Sequence, residues 1–185
     1  MRMTATTPSI ELLPGGQPRL AAGCWRVNPA RSYASFAARV ADWQVRGRLP
    51  LTGGVLIREP VEDSTARLAA RASAVSTGSP GLDRVLAGPG FLDAVTFPEI
   101  SFRSELLVWV PAGWRAVGRL QVKDTEHDLA CQLNLHYGET QPDGSRRVII
   151  VSSWVIDSRW VTSRRIPGLG RRIVMTCSAS LEPGM

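Results

Sequence analysis

Cysteine, histidine and long apolar runs are what this 185-residue sequence has least of. Its three cysteines, Cys24, Cys131 and Cys177, are an odd number, widely separated and without C-x-x-C spacing. That set excludes a disulfide framework, offers no zinc pattern and reads as small buried hydrophobes. The two histidines, His127 and His136, have no second His or Cys at metal-ligand spacing, so a zinc or iron site has no support. No apolar run approaches the roughly 20 residues of a spanning helix. Residues 1–22 hold no apolar stretch of secretory length and read as a flexible leader to a single domain over 23–185. No transmembrane segment is expected, and the chain reads as cytoplasmic. The G-x-S-x-G elbow, the P-loop and the Rossmann fingerprint are all missing. Asp124, Glu126 and Asp128 crowd what reads as a short turn around His127, where carboxylates are solvated charges. No catalytic constellation emerges, so no enzyme and no cofactor are expected.

What remains is an apolar, basic chain. Hydrophobic residues make up 44% and mean hydropathy is −0.03, the balance of a globular domain. At this length roughly 70% of the unfolded surface is hidden on folding, enough for a proper core. The net charge is +6, with the basic residues almost all Arg. Such a balance favours anionic partners. The charge is spread rather than blocked, densest in Ser158 to Arg172, and a spread basic surface commonly serves solvation alone.

Period-two alternation dominates, which is the strand signal. Ala34, Phe36, Ala38 and Val40 share one face; so do Leu49, Leu51, Val55 and Ile57. Leu68, Ala70, Ala72 and Ala74 oppose Arg67, Arg71 and Ser73. Ile100, Phe102, Leu106 and Val108 oppose Ser101, Arg103 and Glu105. Trp114, Ala116, Leu120 and Val122 form another face, as do Leu129, Cys131, Leu133 and Leu135, and Ile173, Met175, Cys177 and Leu181. The run at 147–157 is apolar on both sides. With the lead-in "CWRVN" this makes eight or nine strands, separated by turn signals such as Gly53-Gly54 and Asp143-Gly144. Only Val40 to Val45, as a single turn, and the segment around Leu82 to Leu86 resemble helix.

One apolar face per strand with short connections predicts a mainly β fold with an antiparallel sheet. An up-and-down barrel of about eight strands would remove its edges, and a two-sheet sandwich fits the same alternation. The inward set mixes Trp25, Phe36, Phe102, Trp114 and Met175 with small residues from Ala34 to Gly118. That mixture fits a bore with room for one ligand or a filled core in which small faces large.

The stretch from Ser76 to Ser104 interrupts this pattern with a Gly/Pro/Ser loop, a short amphipathic piece, the break Gly88-Pro89-Gly90 and a new strand. Phe91-Leu92-Asp93 and Phe97-Pro98-Glu99-Ile100-Ser101-Phe102-Arg103-Ser104 resemble the corresponding signature of the YceI-like, polyisoprenoid-binding family. Trp25, Ser32, Phe36, Val45-Arg46-Gly47-Arg48-Leu49, Ser76-Thr77-Gly78, Asp83, Leu86 and Gly118 to Lys123 extend the resemblance, which spans Gly23 to Leu181. The chain departs from the family pattern at Lys123-Asp124-Thr125-Glu126 and at Ile156 to Trp160, which lacks a Phe-Gly.

The resemblance implies a lipocalin-like barrel with a short helix inserted between strands and an elongated apolar cavity for an isoprenoid chain. The function it implies is non-catalytic binding, carriage or sequestration of an isoprenoid or other long apolar lipid. Phe36, Leu49, Phe91, Phe102, Trp114, Leu133 and Met175 are the candidate ligand-binding residues, and plain packing accounts for them equally well. Arg164, Arg165, Arg171 and Arg172 flank "IPGLG" and are candidates for an anionic head group at the mouth. The alternative from another class is a basic module for nucleic acid or anionic surfaces, without a lipid cavity. It lacks the aromatic-plus-basic platform of single-strand binders, so no specific nucleic acid is expected. A homodimer is left open.

Overall fold

The computed structural model describes residues 10–12, 18–58, 64–110, 113–140 and 146–184. Among them are eleven strands and one α-helix: β1 (Ile10–Leu12), β2 (Pro18–Leu20), β3 (Gly23–Val27), β4 (Tyr33–Val40), β5 (Trp43–Arg58), β6 (Thr65–Arg71), α1 (Pro80–Ala87), β7 (Glu99–Val110), β8 (Gly113–Val122), β9 (Thr125–Thr140), β10 (Arg146–Asp157) and β11 (Leu169–Pro183). From β4 to β11 each strand pairs antiparallel with the next, and β11 returns to β4. The result is a closed eight-stranded up-and-down barrel, which settles barrel against sandwich. Closure leaves no row of unpaired backbone groups exposed.

Strand β3 fills the space that β4 is too short to reach, pairing with Val55 to Arg58 on one side and Leu181 to Pro183 on the other. The break between β3 and β4 is stitched by two backbone bonds and one to a side chain. Asn28 N donates to Ser180 O at 2.8 Å, Leu51 N donates to Ser32 O at 3.1 Å, and Ser180 N donates to the Ser32 hydroxyl at 2.9 Å. Ser32 therefore stands in for ladder partners that a kinked strand would lose. Trp25, 2% exposed, donates from Nε1 to Ala21 O. Within the expected leader, β1 and β2 pair as a hairpin and Leu20 is buried; residues 1–9 and 13–17 lie outside the described set.

The inward faces follow the alternation except at two bulges. In β5 the register shifts between Leu51 and Gly53, so Leu56 turns into the core and Ile57 faces outward. The expected pairing of Ile57 with Leu49 and Leu51 on one face is corrected by this extra residue. In β7 the shift falls between Ser104 and Leu106, which buries Ser104 and Leu107 and exposes Leu106. The buried Ser104 hydroxyl accepts a bond from Ala66 N at 2.7 Å. Facing this bulge, Gly118 is required: a Cβ there would run into the Arg103 carbonyl oxygen. Two further expectations are corrected. Residues 41–42 form a tight β4–β5 hairpin turn rather than a helical turn, with Ala41 at φ 50. The strand through Ala72 and Ala74 stops at Arg71 and passes into a 3-10 turn.

Candidate functional site

The bore of the barrel is hollow. A cavity of about 180 Å³ occupies the half that contains the start of β5 and the end of β4, and a second of about 60 Å³ lies toward Val27 and Leu181. Leu68, Phe102, Trp154 and Cys177 border both and stand between them, so the two cavities adjoin along the bore. The main lining carries no charged side chain; Ser101 and Thr162 are its only hydroxyls. Ala34, Ala38, Ala69 and Ala70 keep its walls thin, and a filled core is thereby excluded.

One end of the channel is built by segments between strands. β5 is longer than β6 and pairs with it only over 51–57, which leaves its first half bounded by β4 on one side. The segment 72–98 covers this opening. Its Ser76 bridges Arg48 through two backbone bonds. Thr77 donates from both its backbone N and its hydroxyl to Asp83 Oδ1, at 2.6 Å each, tying the loop to α1. Gly88 ends the helix, after which Phe91 and Leu92 turn into the cavity beside Leu82 and Leu86. Val85, also on α1, is 54% exposed.

The second cover is 158–168. Val161, Thr162 and Ile166 line the cavity from it, followed by Leu169 at the start of β11. Contacts from several elements hold it. Ser163 N donates to Gly90 O at 3.1 Å, joining the two covers. Ala41 N donates to Gly168 O at 2.6 Å, joining it to the β4–β5 hairpin. Trp160 stacks on His127 with centroids 4.1 Å apart. His127 thus lies in β9 rather than in the turn, which is Lys123–Asp124. Burial holds the His127 pKa below its ordinary value and also lowers that of Lys123, whose Nζ donates to the Ser163 hydroxyl at 2.9 Å.

Phe36, Leu49, Phe91, Phe102 and Met175 come together around the main cavity, and Leu133 lines the smaller one. Phe102, between the two, touches both. Trp114 is buried in the core and lines neither. Arg164 and Arg165 are exposed on the 158–168 cover. Arg171 instead donates to Asp157 Oδ2 at 2.9 Å, and Arg172 is exposed on β11. Sequence reasoning missed Trp154, whose strand is apolar on both faces. It also missed Val161 and Ile166, apolar residues in an aperiodic, Arg-rich stretch. Among the described residues no helix is long and apolar enough to cross a membrane, and no group of His, Cys, Asp and Glu is placed to hold a metal ion.

Comparison with known proteins gives a consistent answer. The model of the YceI-like domain matches residues 25–166. No curated protein sequence matches the chain. Among solved structures, Burkholderia cenocepacia BcnA superposes with a TM-score of 0.71 at 13% identity, covering 83% of this chain and 98% of that one. A polyisoprenoid binding domain from Saccharophagus degradans, implicated in plant cell wall breakdown, gives 0.65 at 11% identity, with 86% and 98% covered. The Campylobacter jejuni YCEI protein gives 0.64 at 16% identity, with 76% and 86% covered. At these identities the likeness is one of fold.

Proposed function

The chain belongs to the YceI-like family, and we propose that its barrel binds and shields a long apolar ligand of the isoprenoid class without transforming it. The observation that carries this reading is the pair of adjoining cavities along the bore, the larger lined without a charged side chain. A dry apolar cavity of roughly 150 Å³ is already large enough to hold benzene, so the main cavity accepts a segment of hydrocarbon chain. Each Å² of apolar ligand surface moved from water into it gains about 25 cal/mol. An isoprenoid suits the shape: a linear chain with regularly placed methyl branches can thread a narrow channel whose walls alternate Ala with Leu, Ile and Phe. The polyisoprenoid binding domain with the same fold supports that class.

The residues present carry and orient rather than react. Cys131 and Cys177 are the thiols that border the cavities, and burial pushes them up to about 11 and about 12, away from the reactive thiolate. The two covers meet over one end of the main cavity, where Ser163 N donates to Gly90 O.

Native mass spectrometry of the purified protein, with lipid extraction, tests the reading. A co-purifying apolar adduct, or saturable uptake of added prenol by delipidated protein, is the expected result. Consistent absence of both would overturn it.

A further inference from the structure

The exposed apolar residues are not spread evenly. Among the described residues the three most exposed large hydrophobic side chains are Val95 (95%), Trp43 (78%) and Val85 (54%). All three lie at the cavity's covered end. Val85 is on α1, whose Leu82 and Leu86 line the cavity, and Val95 follows the lining residues Phe91 and Leu92. Trp43 pairs with Val40 at the tip of the β4–β5 hairpin. It shares the inward parity of Val45, Leu49 and Leu51, which line the cavity, yet the hairpin carries it past the rim into solvent. An aromatic ring on the inner side of a lip, with no core to pack against, has the placement of an interfacial anchor.

The charges around that lip are positive on balance, although 72–98, which carries Val85 and Val95, holds Asp83 and Asp93 against Arg84. Residues 39–46 and 161–168 contain Arg39, Arg46, Arg164 and Arg165 against the single carboxylate Asp42. The two segments are joined by the Ala41–Gly168 bond. All four arginines and Asp42 are exposed, and the Arg39–Asp42 contact is a long 4.0 Å pair between freely solvated groups, worth little.

We propose that this end of the barrel docks on an anionic lipid bilayer. Trp43, Val85 and Val95 enter the boundary between head groups and acyl chains while Arg39, Arg46, Arg164 and Arg165 meet lipid phosphates. Amphipathic surfaces bind membranes by this combination of buried apolar area and attraction to anionic lipid. The docked face is the one closed only by the two covers, 72–98 and 158–168, so a ligand that entered between them would pass between bilayer and barrel without crossing water. The inference rests on the lipid-binding reading for its purpose, but docking and ligand retention are measured separately.

The test is sedimentation of full-length delipidated protein with vesicles of phosphatidylcholine alone and of phosphatidylcholine mixed with phosphatidylglycerol. Binding is expected to the mixed vesicles, to fall with added salt, and to weaken roughly fivefold for each arginine removed in Arg164→Gln and Arg165→Gln. Trp43→Ala should lower it severalfold while leaving its melting temperature and uptake of a soluble short prenol as in the parent chain. No sedimentation with the mixed vesicles would overturn docking, as would binding indifferent to Trp43→Ala. Equal affinity for an oligonucleotide, lost with the arginines but not with Trp43, would assign the surface to nucleic acid and overturn it too. Prenol uptake without vesicle binding would sink docking alone, and vesicle binding without prenol uptake would sink the cavity reading alone.

Discussion

The ring of Phe36 lies across Gly47, its cross-strand partner in the β4–β5 ladder, in the space a side chain at 47 would take. A Cβ on Gly47 would also come within 2.9 Å of the Ser76 carbonyl oxygen, the group that accepts from Arg48 N. The glycine thus sets the position of an aromatic that lines the cavity and admits the edge of its cover. Gly47→Ala should drive the Phe36 ring inward or lift Ser76 away. Overpacking of this kind costs about 1–3 kcal/mol. A lowered melting temperature together with weaker uptake of an apolar ligand is expected. Unchanged uptake would show that Phe36 does not bound the ligand space.

Phe102 separates the two cavities. Phe102→Ala should merge them into a longer channel. Truncating a core Phe costs about 3–5 kcal/mol, and the low end is expected because Phe102 is only partly buried. The ligand-length profile carries the prediction: the variant should gain relative affinity for longer or bulkier prenols over the parent chain. Calorimetric titration across a prenol series reads this directly. A uniform loss at every length would mean the smaller cavity takes no part.

How much of this could be read beforehand depends on periodicity. The faces of β4, β8 and β9 were legible because each strand keeps an unbroken alternation. The faces of β5 and β7 were legible only up to Gly53 and Ser104, since a bulge adds one residue and reverses every later side chain. Neither bulge has a strong local signature: Gly53-Gly54 reads as a turn, and Leu106 reads as a continuation of the Ile100 and Phe102 face although the bulge turns it outward. Phe36, Phe91 and Phe102 were identifiable as aromatics on apolar faces. Trp43 was not, because its parity says inward while its position beyond the rim says solvent, and only the closed barrel places the rim. The apolar residues of 158–168 have no period at all. Their burial comes from bonds to Gly90 and Ala41 that lie far away in sequence.

Asp157 fixes the start of that second cover. Its carboxylate accepts from Arg159 N, Nε and Nη2 and from Arg171 Nε, at 2.8–3.0 Å. The bonds from Arg159 and then Arg171 hold its pKa well below the usual carboxylate range. A depressed carboxylate stabilises the fold above its unfolded pKa of about 4, and the contribution disappears as pH falls through the lower folded value. The melting temperature of Asp157→Asn should therefore lie below that of the parent at neutral pH and converge with it in strong acid. A gap independent of pH would point to lost geometry rather than lost charge.

Cys177 gives a reporter inside the channel that needs no engineering. It borders both cavities, while Cys131 borders the smaller one and Cys24 is partly exposed. With thiols pushed up to about 12 and about 11 by burial, only roughly one part in a thousand or fewer of either is thiolate at pH 8. Iodoacetamide should therefore modify Cys24 first, with Cys131 and Cys177 following only in denaturant or at strongly alkaline pH. An uncharged, apolar thiol reagent can partition into the channel, so it should reach Cys177 sooner than iodoacetamide does. That difference should vanish when the channel is filled with prenol, because ligand and reagent compete for the same space. Peptide mass mapping after timed labelling distinguishes the three sites. Labelling of Cys177 at the same rate with and without prenol would place the ligand elsewhere than the channel. Protection of Cys177 without protection of Cys131 would stop it at Phe102, in the larger cavity alone.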